Sequence, residues 1–356
     1  MMKDHSVADD LAGPASNALH RAARLEDAFH DFRERRARRD GYIETIQPFV
    51  GYGGKDWIRV LGRVVLTASG EVLTERSLSV RGWRSFMSVP LKNRTVTVDV
   101  DGIEHRVTAD RGGIIDAVLP GKFEPGRITV GVRTDQSAVC DAAVNIIDSD
   151  VAFGIISDID DTVMVTALPR PMLAAWNTFV LNEHARTPVA GMAVLYDRLV
   201  STEANTPIIY LSTGAWNVAP TLRRFLSRNL YPAGPLLLTD WGPTPDRIFR
   251  SGQDHKRAAL ERLAAEFPGM KWLLVGDDGQ HDEEIYSNFV ERYPQNVLAV
   301  AIRQLSATEA VWAGGRSKSE GRGNGVPWVY ASDGAGLAEQ LESRGLVPGL
   351  GDAGRR

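Results

Sequence analysis

The spacing of apolar and polar positions changes rhythm twice along this chain. Residues 1–40 form a polar leader in which Leu25, Phe29 and Phe32 recur at helical spacing. Arg33, Arg35, Arg36, Arg38 and Arg39 follow, with Glu34 among them. The pattern predicts a short helix whose thin apolar stripe docks on the body of the protein. A basic amphipathic segment touching anionic lipid is the alternative.

From Gly41 to Ser149 the texture turns to β. Ile58–Leu66, Thr95–Val100, Ile103–Ala109 and Arg127–Arg133 are rich in β-branched residues and are broken by Gly and Pro. Asp101-Gly102 between two such runs predicts a hairpin with a tight primed turn. Gly51-Tyr-Gly-Gly54 lacks the Lys-Ser/Thr of a phosphate loop and reads as a turn between strands. We expect a small antiparallel all-β domain over 41–149, a sandwich or a barrel, with no convergent catalytic groups.

After residue 150 the rhythm is strand, helix, strand. Strands are expected at Val151–Ile156, Pro207–Leu211, Pro235–Leu238, Lys271–Val275 and Val297–Ile302. Met192, Leu195 and Leu199 share one helical face. Asp254 is placed to cap a helix carrying Leu260, Leu263 and Phe267 that stops at Pro268-Gly269. Alternating strands and helices imply an α/β domain over 150–345, with a mostly parallel sheet covered on both faces. A Gly/Ser/Arg-rich loop at 314–325, a last helix near Leu337–Ser343 and a disordered tail over 346–356 complete the reading.

Composition removes several classes. At 356 residues, with 43% hydrophobic and 24% charged residues, the chain is an ordinary two-domain candidate. A net charge of -4 argues against a general nucleic-acid binder. One cysteine, Cys140, allows neither an internal disulfide nor a cysteine zinc cluster, and the seven histidines contain no HExxH pair. No run approaches the roughly 20 apolar residues that span a bilayer, and no signal-peptide core is present, so a cytoplasmic protein is expected.

The chemistry concentrates at strand ends. Asp158-Ile-Asp160-Asp161-Thr162 follows the first strand of the α/β unit, Ser212-Thr213-Gly214 the second, and Gly276-Asp277-Asp278-Gly-Gln-His-Asp282 the fourth. Lys256 lies between the last two. In open α/β sheets the carboxyl edge of the strands is where ligands bind. Crowded carboxylates disfavour one another's ionisation, so a divalent cation is the natural compensation. An EF-hand is excluded, because counting from Asp158 puts Val163 where that loop needs Gly and Pro169 where it needs Glu. Each signal has a plainer reading. Ser212 could end a strand, and Asp282 with Glu283 and Glu284 could complement a helix N-terminus. Together they suit phosphoryl transfer through an aspartyl-phosphate. That reaction needs an attacking carboxylate, a second acid to move protons, hydroxyl and ammonium donors for the phosphoryl oxygens, and a metal-binding acid. Asp158, Asp160, Ser212, Lys256 and Asp277 fill those five roles.

These strings resemble the four motifs of the haloacid dehalogenase superfamily of phosphatases. Ile156-Ser-Asp-Ile-Asp-Asp-Thr-Val163, Gly234-Pro-Leu-Leu-Leu-Thr-Asp-Trp241, His255-Lys256 and Gly276-Asp-Asp-Gly-Gln-His-Asp-Glu-Glu-Ile-Tyr286 look more closely like the actin-patch phosphatidate phosphatase family, over roughly residues 150–305. The resemblance implies a Rossmann-like sheet with a small helical cap. It implies Asp158 as nucleophile and Asp160 as general acid/base. Mg²⁺ would be held by Asp158, the Asp160 backbone carbonyl and Asp277, with Asp282 and Asp278 competing for a further metal-linked role. Thr162, Thr213 and Gly214 would join the phosphate-binding set.

The implied substrate is phosphatidate, released as diacylglycerol and phosphate, with peripheral membrane contact as a corollary and no nucleic-acid partner. The motifs read only the phosphate. Phosphatase activity on soluble phosphomonoesters or nucleic-acid ends stays open, as does a scaffold in which the β domain docks on a membrane or partner. Only 44 residues separate Thr162 from Pro207, room for a pair of helices but not a large lid. Trp176, Phe179, Trp216 and Trp241 could line an apolar entrance, although each taken alone is more readily a core residue.

Overall fold

The computed structural model describes residues 28, 30–68, 88–151, 153–165, 187–202, 205–239, 245–279, 281–312 and 325–346. Leu25, Phe29, Trp176, Phe179, Trp241, the cap segment 166–186, the 314–324 loop and the tail from 347 lie outside them.

A short helix, α1 (30–39), leads into a β-rich region. Its strands are β1 (Tyr42–Gly54), β2 (Trp57–Ala68), β3 (Val89–Pro90), β4 (Thr95–Val100), β5 (Ile103–Thr108), β6 (Ile114–Pro120), β7 (Gly126–Arg133) and β8 (Cys140–Ile146). They form one sheet in the order β3-β2-β1-β8-β7-β4-β5, with β6 also paired to β2. Ile58 and Val60 of β2 share a core with Val96 and Val98 of β4, four places away in the sheet. The sheet therefore curls over on itself. Most pairs are antiparallel, but β1 and β8 run parallel. Asp101 and Gly102 both have positive φ, 51° and 84°, the primed turn expected between β4 and β5.

Gly51-Tyr-Gly-Gly54 is not a turn. It is the end of β1, and the reversal falls at Lys55-Asp56. A β-carbon on Gly51 would stand 2.2 Å from the Arg59 carbonyl oxygen, so glycine is required by close strand approach at an irregularity in the β1–β2 register. On α1, Phe32 is 55% exposed. Ala37 is buried in the core of the sheet, and charge adds to the contact: Arg38 and Arg94 both pair with Glu34 and Glu44.

The second half is a parallel sheet with helices. Its strands are β9 (Phe153–Asp158), β12 (Ile208–Ala215), β13 (Leu236–Thr239), β14 (Lys271–Asp277), β15 (Val297–Arg303) and β16 (Trp328–Ala331), ordered β13-β12-β9-β14-β15-β16. β10 (Met164–Val165) and β11 (Thr187–Pro188) pair as a two-stranded antiparallel ribbon. The helices are α2 (Met192–Thr202), α3 (Ala219–Arg228), α4 (Pro245–Glu266), α5 (Asp282–Arg292), α6 (Ala307–Trp312) and α7 (Gly334–Ser343). Right-handed crossovers put α2 and α3 on one face of the sheet and α4 and α5 on the other. The packing agrees: α7 lies on α2, and α5 lies on α4. β9 is central and covered on both faces, so its run is apolar without alternation.

The two halves share a core. Phe49, Tyr52, Leu61 and Ile114 pack in the same cluster as Trp216, Leu260 and Trp272. Trp216 is buried and stacks on Phe49 with ring centroids 4.7 Å apart, so it is not part of an apolar entrance. At the same junction Glu266 of α4 accepts from Tyr52 Oη at 2.9 Å and from Arg59 Nη2 at 2.5 Å. A second correction concerns α4. The helix starts at Pro245, a residue favoured in a first turn, so Asp254 sits within the helix and pairs with Arg257 instead of capping it. Lys256 is thus a mid-helix residue, and its position owes nothing to the helix dipole.

Candidate active site

β9 and β14 are neighbours, and both carry acid at the carboxyl edge. Asp158 is the last residue of β9 and Asp277 the last of β14. Asp282 opens α5, where a first-turn acid also suits the exposed N–H groups. One carboxylate oxygen from each of Asp158, Asp277 and Asp282 lies within 4.8 Å of the others. A β-carbon on Gly276 would meet Asp282 Oδ2 at 2.7 Å and the Tyr286 ring at 2.7 Å. Glycine there lets α5 approach β14 closely enough to bring Asp282 into the group.

Lys256 reaches the same point from α4. Its Nζ lies 2.5 Å from Asp158 Oδ1 and 2.6 Å from Asp282 Oδ1, and all three side chains are buried. Burial alone would lower the pKa of this ammonium. The two carboxylates outweigh burial and raise it, so the lysine stays charged. Asp158 is pushed well above the usual carboxylate range, first by burial and then by Asp282, Asp160 and Asp277, with Lys256 opposing. Asp277 is also raised, by burial first, then Asp282 and Asp161. One ammonium faces three carboxylates, and the buried Asp282 Oδ2 has no hydrogen-bond partner among the described residues. That surplus of hard oxygen donors fits a divalent cation.

The second acid is held beside the first. Ser212, in β12 next to β9, donates from Oγ to Asp160 Oδ2 at 3.0 Å and accepts from the Gly214 N–H at 3.0 Å. Thr162 Oγ1 donates to Asp158 Oδ2 at 3.3 Å. Thr213 is exposed and contributes its carbonyl to Thr239 Oγ1 at 2.9 Å. Gly252 brings α4 against this loop, since a β-carbon there would stand 3.0 Å from Thr213 Cγ2. Asp278 faces elsewhere: its Oδ1 accepts the Leu305 N–H at 2.8 Å, and it is not in the group of three. His255, beside Lys256, has its pKa lowered to about 4 by burial, partly offset by a hydrogen bond to the Leu237 backbone.

Three supporting groups escaped the sequence reading. Arg303, the buried last residue of β15, donates from Nη1 to the Asp161 carbonyl at 2.7 Å and from Nη2 to Glu309 at 2.6 Å. Asp161 sits at φ +59°, an uncommon backbone state for a residue with a β-carbon, and Arg303 clamps its carbonyl there. Behind Asp158, Tyr196 Oη and Ser157 Oγ lie 2.6 Å apart, and Ser157 Oγ also reaches the Asp158 carbonyl at 2.6 Å. A charged residue ending an apolar strand was the available signal for Arg303. Tyr196 carried none, because in its helix it reads as core.

The site thus gathers paired acids, a hydroxyl and a buried ammonium at the carboxyl edge of a parallel sheet, a donor set able to hold a divalent cation. Residues 153–304 match the family model described as phosphatidate phosphatase APP1, catalytic domain. Phosphatidate phosphatase APP1 of Saccharomyces cerevisiae is 26% identical over 249 residues, covering 66% of this chain and 41% of the relative. An uncharacterised protein of Schizosaccharomyces pombe is 25% identical over 224 residues, 61% of this chain and 36% of the relative. The chain thus spans about two fifths of the length of the curated relatives it matches. A solved carbohydrate acetylesterase from Xanthomonas citri aligns over 83% of this chain and 73% of its own at 11% identity, with a TM-score of 0.28, too low to define a shared fold.

Proposed function

We propose that this chain is a Mg²⁺-dependent phosphatase of haloacid-dehalogenase type, acting on phosphatidate through an aspartyl-phosphate. The observation that carries the reading is the meeting of Asp158, Asp277 and Asp282 within 4.8 Å at the carboxyl edge, with Lys256 bridging two of them. The substrate comes from the family match.

Asp158 attacks phosphorus and forms the acyl-phosphate bond as the ester P–O bond breaks. Asp160, held by Ser212, gives its proton to the departing alcohol oxygen. It then takes a proton from the water that attacks phosphorus, releasing phosphate and restoring Asp158. Lys256 offers donors to the equatorial phosphoryl oxygens, where charge spreads in the transition state, and Ser212 joins it by turning its one hydroxyl hydrogen from Asp160 to the bound phosphoryl group. Thr162 keeps Asp158 oriented. A bound Mg²⁺, held by Asp158 and Asp277 together with the Asp160 carbonyl and with Asp282 close by, would supply the positive charge that brings an anionic carboxylate and an anionic phosphate together. Asp278 takes the supporting role of fixing the 277–279 turn against β15.

Phosphate release from phosphatidate in detergent micelles, against a soluble phosphomonoester at matched concentration and with or without Mg²⁺, tests the assignment. We expect Mg²⁺-dependent turnover favouring the lipid. Turnover of soluble esters alone would overturn the substrate. Hydrolysis that survives Asp158→Asn would overturn the aspartyl-phosphate route, and no turnover across a broad phosphoester panel would point to a binding role.

A further inference from the structure

Away from the acids, α2, α3 and the 229–234 turn form a cleft of about 1310 Å³, closed on one side by Val50 and Arg127 of the β-rich region. None of the catalytic residues named above lines it. Arg127, Arg223 and Arg228 line it together with the buried Arg224, against one acid, Asp197. That is a locally basic wall on a chain whose net charge is -4. Val194 and Leu230 belong to the same lining and are 63% and 81% exposed.

Leu230 is the most telling of these residues. α3 ends at Arg228, and Leu230 follows the cap residue Asn229 with φ +61°, the left-handed state that glycine ordinarily fills after a helix. Its N–H bonds the Ser227 carbonyl at 3.3 Å, and the Tyr231 N–H bonds the Leu226 carbonyl at 2.9 Å, so the backbone closes the helix whatever the side chain. A β-carbon and an isobutyl group directed at water contribute nothing to that closure. Arginines beside exposed aliphatic side chains are the pattern of a surface that holds anionic headgroups while its apolar residues enter the acyl boundary.

We propose that this cleft docks the chain on an anionic lipid bilayer, with Arg127, Arg223 and Arg228 holding lipid phosphates and Leu230 and Val194 inserting. The site is separate from the phosphatase reading and does not depend on it. Phosphatidylserine vesicles separate the two, because a phosphodiester headgroup is no substrate for a phosphomonoester hydrolase.

The test is flotation of the full chain with phosphatidylcholine vesicles, with and without phosphatidylserine, at low and high salt. We expect salt-sensitive binding only when phosphatidylserine is present. At roughly fivefold per basic residue, Arg223→Gln with Arg228→Gln should weaken binding about 25-fold. Leu230→Gly should also weaken binding while leaving the melting temperature unchanged or higher, since glycine suits the backbone state better. A merely structural leucine would give the opposite pair of results. Equal binding to phosphatidylcholine alone, or undiminished binding of the double arginine variant, would overturn the proposal. If that variant does not fold, undiminished binding of Leu230→Gly overturns it by itself. Failure to bind vesicles while inorganic phosphate binds would assign the cleft to a free anion and refute the lipid.

Discussion

Replacing Lys256 with Met removes the one ammonium among the described residues that contacts the acidic group and leaves Asp158, Asp277 and Asp282 facing one another. The Nζ lies 2.5 Å from Asp158 and 2.6 Å from Asp282, with all three side chains buried. Breaking a buried pair by deleting one partner strands an uncompensated charge and costs about 3–5 kcal/mol. Protonation limits the damage. Asp158 and Asp277 already have raised pKa values, and Lys256 is a lowering influence on both, so its loss moves both further up. A carboxyl whose folded pKa exceeds its unfolded value binds more protons when folded. Its stability contribution therefore falls as pH rises between those two values. Acidification should return up to about 1.4 kcal/mol per pH unit for each carboxyl that titrates. Urea unfolding in EDTA at about pH 7.5 and about pH 5.5 reads this directly. Lys256→Met should lose several kcal/mol at the higher pH and distinctly less at the lower. Added divalent cation should stabilise the variant, by about 2.7 kcal/mol at a hundredfold excess over Kd. A loss under about 1 kcal/mol at the higher pH, or one that grows on acidification, would refute the view that the ammonium neutralises the acids.

Three further outcomes follow from the geometry. Gly276→Ala puts a β-carbon 2.7 Å from Asp282 Oδ2, and calorimetry should show divalent-cation affinity falling roughly 10- to 100-fold in a folded protein. Arg303→Gln frees the Asp161 carbonyl; steady-state kinetics should show kcat down about tenfold with KM changed little, and Arg303→Lys should recover part of it. Glu266→Gln weakens the junction between the two halves, where Tyr52 and Arg59 both donate to Glu266. It should cost about 1–3 kcal/mol in urea unfolding without altering cation affinity.

Much of this site could be read along the chain because its chemistry is local to strand ends. An apolar run that stops at a polar residue places that residue at the sheet edge whatever the neighbouring strands: β9 and β14 end in acids, and the apolar run of β12 stops at Ser212. The primed turn at Asp101-Gly102 was legible for the same reason, since two residues settle their own backbone. Gly51–Gly54 was misread because a glycine required by a neighbouring strand looks the same in sequence as a glycine required by a turn. Asp254 was misread because an acid can cap a helix or sit inside it, and the true start at Pro245 lies nine residues earlier.

The order of residues along the chain was enough to determine the reactive types: three acids and a threonine at the end of the first strand of the α/β unit, a serine at the second, three more acids at the fourth. Which of them share a point in space was decided by strand order and helix packing. β14 lies against β9 although more than a hundred residues separate them, and glycines 252 and 276 let α4 and α5 close in. Tertiary structure therefore separated Asp278, bonded to the Leu305 backbone, from Asp282, bonded to Lys256. It recruited Arg303 from β15, and it placed Arg127 of the β-rich region beside the arginines of α3. Such contacts depend on the crossing of distant segments. Local patterning can say that a side chain is charged and near a strand end, but only packing sets what it meets.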